Sequence, residues 1–295
     1  MATVATELDP CLDNDDYPVY FDAQVTGLRT PALQRAIQAD KHVYCEKPTA
    51  TDTETAMGFY RTCRDRGLKH GVVQDKLWLP GLIKLKRLAE NGFFGDILSV
   101  QIEFGYWIFE GHSIPAQRPS WNYRRETHGG IVLDKMPHIP ERIDENGQRY
   151  RCDVEDAAYL LFQLENDISG RVTCSWSERV RREDLLTVKV DGTRGSAQAG
   201  LHECYLQHYG QTPRAVWNPE RASAGSYRDQ RGLVPDQEDY PNPFRAQWEK
   251  FLRHIVLDGP FPWDLREGAK GVQLAETAML SCKLGKWVAV EELKV

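Results

Sequence analysis

His42-Val43-Tyr44-Cys45-Glu46-Lys47-Pro48-Thr49-Ala50 is the stretch whose reading decides the fold. Val43, Tyr44 and Cys45 form a short apolar run of the kind that parallel strands, buried on both faces, use. Pro48 lacks an N–H and ends ladder pairing. Asp52 or Thr53 can then cap a helix. Glu46 and Lys47 are therefore expected at the carboxyl end of a strand, just before a helix, the edge at which open α/β sheets bind ligands. On residue type alone, Lys47 also reads as a solvated surface lysine.

Working outward, the flanking segments repeat the pattern. Val19-Tyr20-Phe21 is a second apolar strand core. Thr30-Pro31 reads as a cap followed by proline at the first helical position, with Leu33, Ala36 and Ile37 on the apolar face. Downstream, Ala56, Phe59 or Tyr60, and Cys63 line one side of a helix that Gly67 ends. Val72 and Val73 centre a third strand over residues 68–74, with Gln74 at its ligand end. Strand, helix, strand, helix, strand predicts right-handed βαβ units on a parallel sheet. No GxGxxG turn occurs in the sequence. The loop that would hold a pyrophosphate, and the acidic ribose reader about 20 residues beyond it, are therefore not found.

A hydrophobic strand ending in Glu-Lys-Pro, followed by Thr/Ala and a helix, resembles the hallmark of the glucose-fructose oxidoreductase / inositol dehydrogenase (Gfo/Idh/MocA) family. The resemblance covers the second half of that family's nucleotide domain and most of its C-terminal α/β domain. It implies hydride transfer between NAD or NADP and a hydroxyl carbon of a sugar, polyol or related cyclic alcohol. Residues 1–78 are then a partial dinucleotide-binding domain, and residues 79–295 a substrate and oligomerisation domain.

In that second part, Leu82, Leu85, Leu88 and Ala89 make a helix stripe ended by Asn91-Gly92, and Gly95-Asp96-Ile97 opens a strand through Phe104. Residues 105–128 form a long irregular stretch rich in aromatics, a length often used for functional lids. Residues 157–164, 171–177, 185–190 and 204–209 are strand-like with turn signals between them, which predicts an antiparallel sheet. Residues 211–243 are polar and loop-like, and residues 244–257 read as a helix. Asp264-Leu265-Arg266-Glu267 is a capping box opening a final helix over 264–283. That helix turns Leu265, Val272, Ala275, Met279 and Cys282 inward and is placed to pack back toward the first domain. The expected fold class is α/β: a partial doubly wound, Rossmann-like parallel sheet followed by an α+β domain with an open, mostly antiparallel sheet. An uncovered sheet face favours a homo-oligomer, dimer or tetramer.

The second informative stretch is His128-Gly129-Gly130-Ile131-Val132-Leu133-Asp134-Lys135-Met136-Pro137-His138. On a helix, Asp134 and His138 share one face, and an imidazole exchanges a proton near neutrality. The same spacing also suits an ordinary helix-surface pair. The family resemblance implies His138 as general acid/base, Asp134 as its orienter or a substrate-hydroxyl ligand, and Lys47 beside the nicotinamide and the reacting oxygen. It also implies Glu46, Gln74, Trp121 and Arg124 on the cofactor side. Trp107, Trp121 and Tyr123 could stack on a sugar or anchor the loop. Pro137 precedes His138 and Pro140 follows it, and residues 139–153 are nearly all polar, as if a segment had been lost between His138 and Glu141.

Composition bounds the alternatives. With 41% hydrophobic and 27% charged residues the chain should fold as an ordinary globule. A net charge of −6 argues against a nucleic-acid partner. No apolar run approaches the roughly 20 residues that span a bilayer, and residues 1–16 lack a signal-peptide core, so a cytoplasmic protein is expected. Seven scattered cysteines without CxxC spacing suit reduced thiols better than disulfides or a metal site. A non-catalytic relative, carbohydrate-binding or structural on the same scaffold, is the competing expectation, because no phosphate loop is found.

Overall fold

The computed structural model describes residues 4–108, 119–131, 139–214, 218, 220 and 228–294. The chain forms two compact units, the first built from Met1–Asp75, Arg118–Glu155 and Phe244–Val295, the second from Lys76–Gln117 and Asp156–Pro243. One division falls near the boundary expected after residue 78. The chain then returns to the first unit twice, which a single boundary does not describe.

After a short α1 (Asp9–Leu12), the first unit carries β1 (Val19–Asp22), β2 (His42–Cys45) and β3 (His70–Val72) as a parallel sheet in that order. Tyr20 stands opposite Val43, and Val43 opposite His70. The crossovers are α2 (Thr26–Gln38) and α3 (Thr53–Asp65). Side chains alternate across a strand, and here both faces are covered. Val43 and Cys45 join Leu33, Ile37, Ala56, Met57 and Cys63 in one buried layer. Tyr44 points into the other, with Val73, Phe251 and Phe261. The expected apolar run is therefore a strand buried on both sides.

Much of that covering comes from the end of the chain. In α5 (Pro243–Leu257), Phe251 stacks on Tyr44 with ring centroids 4.4 Å apart. In α6 (Leu265–Leu284), Leu265 and Ala269 enter the first layer. The Val72 N–H donates to the Trp263 carbonyl at 3.0 Å, and the Leu265 N–H donates to His70 Nδ1 at 3.3 Å. Asp264 caps α6 as the capping box predicts, bonding the Arg266 and Glu267 amides. Cys282 is exposed, not inward as expected, because the buried face of α6 is confined to Leu265, Gly268, Ala269 and Val272 near its start.

One further expectation is corrected. α2 begins at Thr26, a turn before the Thr30-Pro31 start read from sequence, and Pro31 lies inside it. Extended Val25 supplies the start, its carbonyl accepting from the Leu28 and Arg29 amides. Residues 139–153 contain a small antiparallel hairpin, β5 (Glu141–Ile143) with β6 (Arg149–Arg151). Its buried Arg142 guanidinium lies 4.0 Å from the Tyr123 ring centre.

The second unit opens with α4 (Pro80–Glu90) and β4 (Ile97–Gly105). Six more strands follow: β7 (Ala157–Gln163), β8 (Ser169–Ser175), β9 (Leu186–Gly192), β10 (Gly195–Ala199), β11 (Cys204–His208) and β12 (Gly232–Leu233). The sheet order is β12-β11-β10-β9-β4-β8-β7, antiparallel throughout except for the parallel β4–β8 pair. Leu85 of α4 packs with Phe94, Val190, Ala197, Ala199 and Cys204 on one face. At the sheet edge on β7, Tyr159 and Leu161 are 70% and 67% exposed. Arg182 donates to the carbonyls of Gly105 and Leu185, each at 2.8 Å. No helix among the described residues is long and apolar enough to cross a membrane.

The α6 approach gives a direct test. A Cβ on Gly268 would stand 3.3 Å from both Thr49 Cβ and Val72 Cβ, and closer still to the Thr49 hydroxyl, whereas a Cβ on Gly271 would meet nothing. Gly268→Val is expected to destabilise by about 1–3 kcal/mol through overpacking. Gly271→Ala, in the same helix, is expected to stabilise by about 0.5–1 kcal/mol. Urea denaturation of both variants reads the contrast.

Candidate active site

The three strands of the first unit end at one edge. The Glu46 N–H donates to the Asp22 carbonyl at 2.8 Å, and the Val73 N–H to the Cys45 carbonyl at 2.8 Å. Glu46, Lys47 and Gln74 thus leave the sheet side by side, as expected from the sequence. Glu46 is half-buried, and its carboxylate accepts the Lys47 amide at 3.3 Å. Lys47 is exposed. Gln74 is half-buried, with its amide held at 2.8 Å by the side-chain oxygen of buried Gln247 on α5. Cys45, one residue before Glu46, is no nucleophile: burial pushes its thiol up to about 12.

Behind this edge lies a buried ion pair. Asp22 is 0% exposed and Arg29 2%, with Nε 3.0 Å from the carboxylate. The guanidinium also donates to the Pro48 and Gln24 carbonyls. Asp22 further accepts the Tyr20 hydroxyl at 2.8 Å, the Gln24 amide at 3.0 Å and the Gln24 side chain at 2.9 Å. Sequence reading missed this pair. An arginine seven residues beyond the end of a strand was the available signal, but it reads as an ordinary helix-surface charge.

Residues 119–131 belong to the same unit and form short 3-10 turns at Ser120–Tyr123 and Arg125–Thr127. Trp121 is half-buried, and its carbonyl accepts the Thr127 hydroxyl at 2.8 Å. The Arg124 guanidinium stacks 4.6 Å from the Tyr150 ring centre and lies 3.7 Å from the Glu126 carboxylate. Its side chain is thereby engaged with the β5–β6 hairpin. The two glycines have steric reasons. A Cβ on Gly129 would press on the Trp121 and Asn122 carbonyls at 2.5 Å, and Gly130 has φ +105° with the Glu155 carboxylate beside it. A Cβ on Gly27, in the first turn of α2, would stand 3.1 Å from His128 Cδ2. The segment therefore reaches the start of α2, just past the end of β1. His128 is a neighbour of that edge to which the sequence reading gave no role.

Asp134 and His138 lie outside the described residues. A cavity of about 260 Å³ in the second unit is lined by Glu183, Asp184 and Glu203 among others, and holds none of the residues nominated from sequence.

Residues 86–290 match the family described as "Oxidoreductase family, C-terminal alpha/beta domain" of the Gfo/Idh/MocA proteins. The chain belongs to the Gfo/Idh/MocA oxidoreductase family. Among its relatives, D-xylose dehydrogenase of Paenarthrobacter nicotinovorans is 41% identical, in an alignment covering 99% of this chain and 82% of that protein. That alignment runs over 319 positions, longer than the chain, so it opens gaps in this sequence. Trans-1,2-dihydrobenzene-1,2-diol dehydrogenase of Oryctolagus cuniculus is 28% identical, covering 83% of this chain and 70% of that protein. The same fold is seen in the solved structure of a levoglucosan dehydrogenase in complex with NADH and L-sorbose. It superposes with a TM-score of 0.79 at 20% identity, over 97% of this chain and 83% of that one.

The helix that leaves the Lys47 loop depends on Asp52. Its carboxylate is held below the usual range, first by the Thr55 amide at 2.8 Å and also by the Thr55 hydroxyl. A depressed folded-state pKa means that its contribution is complete above the ordinary carboxylate range and is lost as pH falls through the folded value. Asp52→Ala is expected to cost about 0.5–2 kcal/mol at neutral pH. Asp52→Asn keeps a cap that does not titrate, so wild type should lose stability relative to it below about pH 4. Thermal melts across pH 3 to 7, bracketing that value, read the difference.

Proposed function

We propose that this oxidoreductase oxidises a hydroxyl-bearing carbon of a sugar, polyol or related cyclic alcohol with NAD or NADP, at the edge where β1, β2 and β3 end. The observation that carries the reading is Lys47: an exposed ammonium just past the carboxyl end of a parallel strand buried on both faces. Half-buried Glu46 and Gln74 flank it, so the edge offers polar groups to a nicotinamide. NAD(P), when bound, supplies the hydride acceptor. Lys47 favours the alkoxide that develops as the hydroxyl loses its proton. His138 is the proposed base for that proton, and Asp134 orients it or binds a neighbouring hydroxyl. Trp121 lies toward the cofactor in this reading. Arg124, whose guanidinium is taken up by Tyr150 and Glu126, supports the segment that carries it. Names of relatives support a sugar or cyclic diol: D-xylose dehydrogenase and trans-1,2-dihydrobenzene-1,2-diol dehydrogenase.

The protein works in the cytoplasm in this reading, where its scattered thiols stay reduced. It assembles as a homo-oligomer through the open sheet face of the second unit, where β7 exposes Tyr159 and Leu161. Light scattering is expected to give a dimer or tetramer, and Tyr159→Lys with Leu161→Lys a smaller species. An unchanged mass in that double variant removes this face from the assembly.

Turnover is tested with D-xylose, other sugars and cyclic diols, following NADH or NADPH fluorescence. Reduction of either cofactor supports the reading. A folded protein with neither turnover nor cofactor binding points to the non-catalytic alternative. Lys47→Met is expected to lower kcat by about 10²–10³-fold and, because Lys47 is exposed, to leave the thermal midpoint near wild type.

A further inference from the structure

The geometry points to Arg29 and Asp22 as a positioning pair that sets the Glu46-Lys47-Pro48 loop for hydride transfer, an inference that rests on the function proposed above. A lone guanidinium in a fully buried place must be compensated. Here one guanidinium is used three ways: Nε to Asp22 at 3.0 Å, and the two terminal nitrogens to the Pro48 and Gln24 carbonyls. Gln24 follows β1 and Pro48 follows β2, so one planar group ties together the two loops that leave adjacent strands. Asp22 completes the closure through its own backbone. Its carbonyl accepts the Glu46 amide at 2.8 Å while its carboxylate holds Arg29 and the Gln24 amide. Lys47 sits between these two fixed points, Glu46 N–H on one side and Pro48 C=O on the other. Its backbone is clamped while its side chain stays exposed.

Neither member of the pair is placed to touch a substrate, since both are buried. Their part is to fix where the Lys47 ammonium can reach. A buried salt bridge is not in itself a strong source of stability, and an apolar pair of similar volume often serves as well. That separates a positioning role from a structural one. In the double variant Asp22→Leu/Arg29→Met the buried charges go together, so the fold is expected to persist with a thermal midpoint close to wild type. The three-way tie is lost, and a displacement of about 1 Å at the loop is expected to lower kcat by about 100-fold, with KM for the sugar changed less. Arg29→Lys keeps the charge but not the planar fork, and should not rescue kcat.

Amide hydrogen exchange over residues 43–51 supplies a readout independent of turnover, and should be faster in both variants than in wild type. A folded variant with wild-type kcat overturns the inference, whatever its exchange. Rescue of kcat by Arg29→Lys overturns it as well. If the double variant does not fold, Arg29→Lys decides by the same two readouts. If wild type turns over no substrate, the proposed function fails on its own. Exchange then decides the clamp: faster exchange supports it, and unchanged exchange overturns it.

Discussion

The constraint on which the structure depends is that β2 has no solvent face. Val43 and Cys45 go into one apolar layer and Tyr44 into the other. Each fully buried side chain of this size is worth roughly 1.5–3 kcal/mol, but only if something covers it. α2 and α3 cover one side. The other needs Phe251 and Phe261, and Leu265 and Ala269 reinforce the first. The edge that carries Glu46 and Lys47 inherits its order from this arrangement, because a strand held on both faces has little freedom to tilt at its carboxyl end.

At that edge the molecule uses polar groups where an apolar core would be cheaper. Asp22, Arg29, Thr49 and Gln247 are all buried within a few residues of the loops that carry Glu46, Lys47 and Gln74 or of the bonds that hold them. Removing one partner from such a network leaves the other uncompensated. A loop of ordinary exposed backbone would be free to adopt several conformations. Here the Glu46 amide, the Pro48 carbonyl and the Gln74 amide each have a fixed partner.

Much of this was legible from residues. The apolar run before Glu46, the Asp264 capping box and the alternation of strands and helices up to residue 74 each carry a local cause that the structure retains. Family membership followed from Glu-Lys-Pro and the segments after it. What escaped was non-local. Arg29 looks like a surface charge until its partner on β1 is seen, and the start of α2 at Thr26 is concealed by Gly27, a poor helix former. The polar run 139–153 gave no helical stripe and turned out to hold a hairpin, stabilised by Arg142 over Tyr123, which no periodicity in the segment announces. Arg182 is tied by carbonyls from two different strand ends. In the hairpin and at Arg182 a determining partner, Tyr123 or the Gly105 carbonyl, lies well away in sequence, so a local pattern could not contain it.

The first unit is discontinuous, and this has a consequence for how the chain is made. Its sheet is complete by Val72, yet the aromatic side of Tyr44 stays uncovered until Phe251 and Phe261 have been synthesised. The whole second unit, ending at Pro243, emerges before them. Until then Tyr44 and Val73 lack the cover they have in the folded unit, and apolar surface left open in this way invites aggregation or chaperone binding.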